Sequence, residues 1–197
     1  MRIFLPFNSK YFLSHYSDQK LVNKIEFEVI PDLIQRHSQN EYVKNIDIFS
    51  DIDFSEMESL SNKVRYIHNE SYVGENFVDL VESYVNSSLN DDEVLVYHNP
   101  LFPFISLNKV FTAFEFVKKN TNCILNAELG IFSDSVGHHN IDLGAVSVFN
   151  FSTLKKLGFR HTNCNEGIAL TALEMLCLRY SDDLDHYNLI INSGFKV

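Results

Sequence analysis

The chain has 197 residues, the size of one domain, and 45% hydrophobic against 21% charged residues give it the apolar material for a core, which excludes a disordered chain. Its 26 acidic and 16 basic side chains leave a net charge of -10, and the longest basic runs are Lys118-Lys119 and Lys155-Lys156, so nucleic acid is disfavoured as a principal partner. Only seven residues are glycine, about half the usual share of roughly 7%, and they are scattered, so no Gly-rich phosphate loop can be drawn through them.

In chain order, Arg2-Ile3-Phe4-Leu5-Pro6-Phe7 reads as a short buried strand. Its apolar run stops at Pro6 with one basic residue, far short of a signal peptide or a membrane span. A polar loop is expected from Asn8 to Lys20. Ile25, Phe27 and Val29 alternate with polar residues, which suggests a strand, while Pro31 to Arg36 looks like the first turn of a helix with proline near its start. Ile46 to Ser50 and Val64 to Ile67 are strand candidates, and Phe77, Leu80, Val81, Tyr84 and Val85 follow helical spacing. Val94 to His98 is an apolar strand turned by Asn99-Pro100. Ser106 can then cap a helix with Val110, Phe111, Phe114 and Val117 on one face. Strands are expected in Cys123 to Glu128 and Ala145 to Phe149, followed by a short helix capped by Ser152 and ended by Gly158. The apolar stretch Ile168 to Leu178 fits helix or strand. Alternating strands and helices over this length argue for a single α/β three-layer domain spanning 1–197.

Two acidic clusters could hold a metal. Asp51-Ile52-Asp53 follows a strand, at the edge where open α/β sheets bind ligands; its plainer reading is a solvated turn. Asp182-Asp183-Leu184-Asp185 either faces water at a helix N-terminus or binds a cation. His138-His139 falls in an expected loop, and adjacent histidines rarely share one ion, so zinc is disfavoured. Cys123, Cys164 and Cys177 form neither a disulfide framework nor a CxxC pair; with no membrane segment in view, a reducing, cytoplasmic setting is expected. No serine lies in a G-x-S-x-G elbow. The sequons at Asn69, Asn86 and Asn150 carry no weight without a secretory signal.

The succession of segments resembles the acylneuraminate cytidylyltransferases, the CMP-sugar synthetases. Val94 to Ser106 is similar to that family's strand and "PTxPF" loop, and Gly144-Ala145-Val146-Ser147-Val148-Phe149 to its "NGAIYIF" strand. Leu173 to Asp185 resembles a strand with the "DID" segment, and Ile46 to Asp51 the "VIVSTD" strand. The resemblance implies a nucleotide-diphospho-sugar transferase fold, GT-A-like and Rossmann-like, with a mainly parallel twisted sheet. It implies transfer of CMP from CTP to an acidic sugar with release of pyrophosphate and Mg²⁺ on the phosphates, in the service of surface polysaccharide. Residue by residue, it makes Asp183 and Asp185 a metal pair and catalytic, puts Asp51 at the family's acidic position after a strand, and sets Asn99 and Ser106 in the sugar-site segment.

The family's first loop resembles "ARGGSKGIPxKN" and wraps the triphosphate in backbone N–H groups and cations. Here the equivalent Asn8-Ser9-Lys10-Tyr11-Phe12 has no glycine; Ser9 and the catalytic candidate Lys10 keep its "SK", and Lys20 or Lys24 stands for the later lysine. The stretch from Ile124 to Gly144 is short where the family has a dimerisation insertion, so a homodimer stays open. Two other readings remain at this level: a small GT-A glycosyltransferase using Asp51 and Asp53 as a DxD motif, and a non-catalytic nucleotide- or sugar-binding module.

Overall fold

The computed structural model describes residues 1–10, 13, 18–68, 93–134, 137–157 and 167–194, with side chains of 128–143 and 155 excluded from that description. Their elements are strand β1 (Arg2–Phe7), helix α1 (Gln19–Lys24), a π-helical segment (Ile25–Val29), α2 (Ile30–Gln39), β2 (Asn45–Ser50), a 3₁₀ segment (Ser55–Leu60), β3 (Val64–His68), β4 (Val94–His98), α3 (Leu107–Lys119), β5 (Ile124–Asp134), β6 (Gly137–Asn150), α4 (Phe151–Leu157), β7 (Ile168–Ala169) and α5 (Ser181–Asn192). The strands form one seven-stranded sheet in the order β3-β2-β1-β4-β6-β5-β7, in which only β6 runs against the rest. The expected mainly parallel α/β sheet is therefore present.

Strand alternation sorts the core. Ile3, Leu5 and Phe7 of β1 face the same side as Ile46, Ile48, Val96 and Val148, and bury against α1, α2, α3 and α5 through Leu21, Ile25, Leu33, Val110 and Leu184. On the opposite face Phe4, Phe49, Leu95, Tyr97, Ile124 and Phe149 pack with Phe151 and Leu154 of α4. Burial of aliphatic and aromatic side chains on both faces is what a parallel sheet needs.

Ile25, Phe27 and Val29 belong to a helix, not to the strand their alternation suggests. Ile25 and Val29 lie one turn apart and are fully buried, whereas Phe27 points outward at 64% exposure. Pro31 explains the local widening: its ring nitrogen cannot donate to the preceding turn, and a π-type turn at Ile25–Val29 accommodates that loss without breaking the helix. The expected loop from Asn8 to Lys20 is also corrected: the described residues Ser9, Lys10 and Leu13 are helical, and α1 starts at Gln19 with Asp18 accepting from Leu21 N at 3.0 Å. The apolar stretch after Gly167 supplies only the two-residue strand β7 and then turns. Asn150 rather than Ser152 caps α4, its Oδ1 accepting from Ser152 N at 3.0 Å. His138 and His139 sit in β6 and not in a loop. The helix expected around Phe77 to Val85 and the stop at Gly158 lie outside the described residues, and no described helix is long and apolar enough to cross a membrane.

Asp47 is a carboxylate on β2, between β1 and the edge strand β3, with no exposed surface. Arg2 reaches it from β1 at 2.9 Å and Arg65 from β3 at 3.0 Å, while Arg2 also binds Glu93 at 2.8 Å. The two arginines differ in burial, 14% exposed for Arg2 and 40% for Arg65. Arg2→Ala, which takes the more buried of these two cations away from a buried carboxylate, is expected to cost about 3 kcal/mol in urea unfolding, and Arg65→Ala at most about 1 kcal/mol; equal losses would contradict this reading of the pair.

Candidate functional site

The crossover pattern places a crevice. From β1 the chain moves outward to β2 and β3, then returns across the sheet so that β4 pairs with the other edge of β1. In open α/β sheets such a switch point leaves a gap at the carboxyl ends of the two central strands. Asn8 and Ser9 follow β1 there, Asp51 follows β2, His68 ends β3 and Asn99 follows β4.

Ser9, Lys10 and Asp51 are brought together at this edge. Ser9 N donates to Asp51 Oδ1 at 2.7 Å, Ser9 Oγ to Oδ2 at 2.9 Å, and Lys10 N to Oδ2 at 3.2 Å. Two adjacent backbone N–H groups and a hydroxyl thus converge on one carboxylate, an arrangement suited to an anion. The anion they hold is the chain's own. Glu26, from the π-helical segment, stands close enough that burial first and the Asp51 charge second raise its carboxyl above the usual range.

The β4–α3 loop is held from several sides. Asn99 N donates to Ala145 O at 2.8 Å and Asn99 Nδ2 to Gly144 O at 3.1 Å, while its Oδ1 accepts from Leu101 N at 3.1 Å. Gly144 has φ of 62°, where a side chain would be strained, so this irregularity within β6 depends on glycine. Ser106 stands at the N-cap of α3, but its own side chain makes no capping bond. Its N–H goes instead to Glu174 Oε1 at 3.1 Å. Glu174 also accepts from Thr171 N at 2.7 Å, Thr171 Oγ1 at 2.8 Å and the Lys109 ammonium. Burial pushes the Glu174 carboxyl up, but the donors from Lys109, Thr171 and Ser106 together outweigh it and hold the group below its usual range. Sequence reading missed Glu174, although Thr171-x-x-Glu174 matches a known capping pattern.

The other expected site residues lie apart from Asp51. Asp183 occupies the first turn of α5, where its Oδ2 accepts from Arg179 N and Tyr180 N at 2.9 Å each, so it caps that helix. Asp185 and Lys20 line a groove of about 320 Å³ between α1 and α5, together with Lys24 and Glu28. Ser106 lines a different cavity of about 320 Å³ with Arg36, Gln39 and Asn108. Asp51 and Asp53 do not act as a pair, because Asp53 turns to Ser55 N at 2.8 Å, which holds its exposed carboxyl below the usual range. Among the described residues no three carboxylate, imidazole or thiol side chains are grouped to hold a metal ion, so the Asp51, Asp183 and Asp185 set expected for Mg²⁺ does not fit one in this arrangement.

No family model and no curated protein sequence matches the chain. Solved structures do. A 4-diphosphocytidyl-2C-methyl-D-erythritol synthase superposes with a TM-score of 0.62 at 14% identity, covering 96% of this chain and 98% of that one. The 2-C-methyl-D-erythritol 4-phosphate cytidylyltransferase of Francisella tularensis gives 0.63 at 11% identity over 95% and 98%. The CMP:2-keto-3-deoxy-manno-octonic acid synthetase complexed with CTP gives 0.53 at 10% identity over 98% and 85%. The chain therefore has the fold of the cytidylyltransferases.

The capping geometry of Asp183 generates a measurable outcome. Asp183→Ala is expected to lower stability by about 1 kcal/mol in urea, and Asp183→Asn, whose amide oxygen still accepts, by only a few tenths. A metal-binding Asp183 reads out differently, as loss of Mg²⁺-dependent nucleotide binding in Asp183→Asn at unchanged stability.

Proposed function

We propose that the chain is a cytidylyltransferase-type enzyme that binds CTP and an acidic sugar at the carboxyl edge of β1 and β4 and transfers CMP to the sugar. The observation that carries this reading is the shared fold with cytidylyltransferases over nearly the whole chain, combined with a crevice whose backbone N–H groups already hold an anion. In the reaction, a sugar hydroxyl oxygen attacks the α-phosphorus, the bond from that phosphorus to the bridging oxygen breaks, pyrophosphate leaves, and the hydroxyl proton passes to solvent. Such a step depends mainly on position and on stabilising negative charge. Ser9 and Lys10 would face the phosphates with their N–H groups, and the exposed Lys10 ammonium would add charge. Asn99 and Ser106 fix the loop against which the sugar would lie. The product is an activated glycosyl donor, and a glycosyl transfer, as in surface polysaccharide synthesis, must consume it.

Asp51 occupies the N–H groups that the phosphates need. It is a competitor of the nucleotide rather than a ligand that recruits it, and this distinguishes two outcomes. Asp51→Asn removes the negative charge and is expected to tighten CTP binding by about tenfold, roughly 1.4 kcal/mol; a metal-ligating Asp51 would instead lose affinity on the same change. For the function itself, CTP at 100 times its dissociation constant should stabilise the fold by roughly 2.7 kcal/mol with Mg²⁺ present, UTP and ATP should not, and one member of a panel of 2-keto sugar acids should release pyrophosphate from CTP. Absence of both the CTP shift and pyrophosphate release, in the wild-type and the Asp51→Asn protein alike, overturns the proposal.

A further inference from the structure

Two histidines that the proposed chemistry does not use lie beneath the β4–α3 loop, and neither has any exposed surface. His98 ends β4, and His37 projects from α2 so that the rings meet edge to face with centroids 5.2 Å apart. Their nitrogens form a chain. His98 Nε2 is 3.0 Å from Phe102 O, and His98 Nδ1 is 3.0 Å from His37 Nε2. A carbonyl oxygen can only accept, so His98 Nε2 carries the hydrogen. In a neutral ring its Nδ1 is then bare, and His37 Nε2 must be the donor to it. That leaves His37 Nδ1 as a bare nitrogen, buried and without a partner among the described residues.

The chain of bonds ends on the main chain of the loop that carries Asn99 and Ser106. Its neighbours grip the same loop. The Arg36 guanidinium, one residue from His37, donates to Pro103 O and is paired with Asp32 at 2.8 Å. Leu178 N donates to Leu101 O at 2.9 Å, and Phe104 packs against Tyr187 of α5 with ring centroids 5.6 Å apart.

We propose that His37 and His98 form a proton-sensitive strut that pins the β4–α3 loop while both rings are neutral and releases it when the pair takes up a proton. The unpartnered nitrogen of the pair among the described residues is His37 Nδ1, and a proton there creates a fully buried cation. A proton on His98 Nδ1 instead sets two donors against each other. The charged group acting on both rings, Arg36 of α2, is a cation and opposes a proton there; Asp32, one turn earlier on α2, is paired with Arg36, and the Tyr187 hydroxyl of α5 beyond them is neutral, pushed up to about 12 mainly by burial. Burial is also the main cause holding His98 down to about 4 and His37 well below its ordinary value. The sign follows directly. Rings that reach water bind protons near pH 6.5, whereas buried ones resist until much lower pH, so acidification between about 6.5 and 4 favours any state in which the loop has lifted. The inference stands independently of whether the crevice binds nucleotide.

Hydrogen exchange on the full chain, corrected for intrinsic rates, tests it at pH 7.5 and pH 5. The amides of Leu101, Phe102, Phe104, Ile105 and Ser106 should lose protection at least tenfold at pH 5, while those of β1 and β2 keep theirs. His37→Gln retains a side-chain N–H donor to His98 but removes the vacant nitrogen, and should blunt the response. Unchanged protection of the loop, loss of protection by loop and sheet together, or an undiminished response in His37→Gln overturns the proposal. Should His37→Gln fail to fold, imidazole ¹⁵N spectra of the wild type decide: both rings neutral with protonated Nε2 at pH 7.5 support it, and a charged ring or the opposite tautomer refutes it.

Discussion

Strand β1 is hydrogen-bonded on both edges, to β2 from Arg2↔Asn45 to Phe7↔Ser50 and to β4 from Arg2↔Leu95 to Phe4↔Tyr97. It is also covered on both faces. A strand in that position can present nothing to solvent except its ends, and the rest of the architecture follows from it. The helices must cover the face of Ile3 and Leu5, the aromatic cluster must cover Phe4, and the polar groups at its carboxyl end must find partners in the loops that begin there. The Asp51 carboxylate on Ser9 and Lys10 meets that last requirement, as does the buried loop anchored by Asn99.

Much of this was legible in the sequence because apolar runs bounded by polar turns are strong signals. Ile46 to Ser50 and Val94 to His98 fell almost where the strands lie, and the α3 face followed from its helical spacing. The failure at Ile25, Phe27 and Val29 has a simple origin: residues four apart share a face in a helix and also in a strand, and only the middle residue distinguishes them. Phe27, an aromatic left outside, gave the misleading vote. Asp183 shows another limit. Acidic residues are favoured at helix N-termini and in metal sites alike, and only the backbone N–H groups of Arg179 and Tyr180 reveal which use is in force. His37 and His98 escaped notice since one partner is distant in sequence and the other is on the main chain, and neither leaves a regular spacing, whereas Glu174 left a Thr171-x-x-Glu174 capping pattern whose longer-range partners, Ser106 and Lys109, the sequence does not show.

The scarcity of glycine gains a physical meaning at the carboxyl edge of β1. Glycine lets a backbone wrap closely around a bound phosphate; here the loop after β1 lacks it, and a carboxylate from the neighbouring strand supplies the negative charge that its N–H groups require. One glycine is kept where geometry demands it, at Gly144, opposite Asn99. The fold of the cytidylyltransferases thus persists at 10–14% identity. Such a fold rests on patterns of burial more than on particular residues.

The pairing of β1 with β4 also sets the order in which the chain can assemble. Arg2 leaves the ribosome long before Leu95, yet neither edge arrangement nor the burial of Asp47 by Arg2 is complete until both strands exist. Until then β1 offers an open, apolar edge to any passing strand, and the Arg2–Glu93 contact can close only after most of the first half has been made. The pairing that sets the switch point between β1 and β4 therefore makes the nascent protein dependent on long-range closure, with β2 covering one edge of β1 early and β4 reaching the other late.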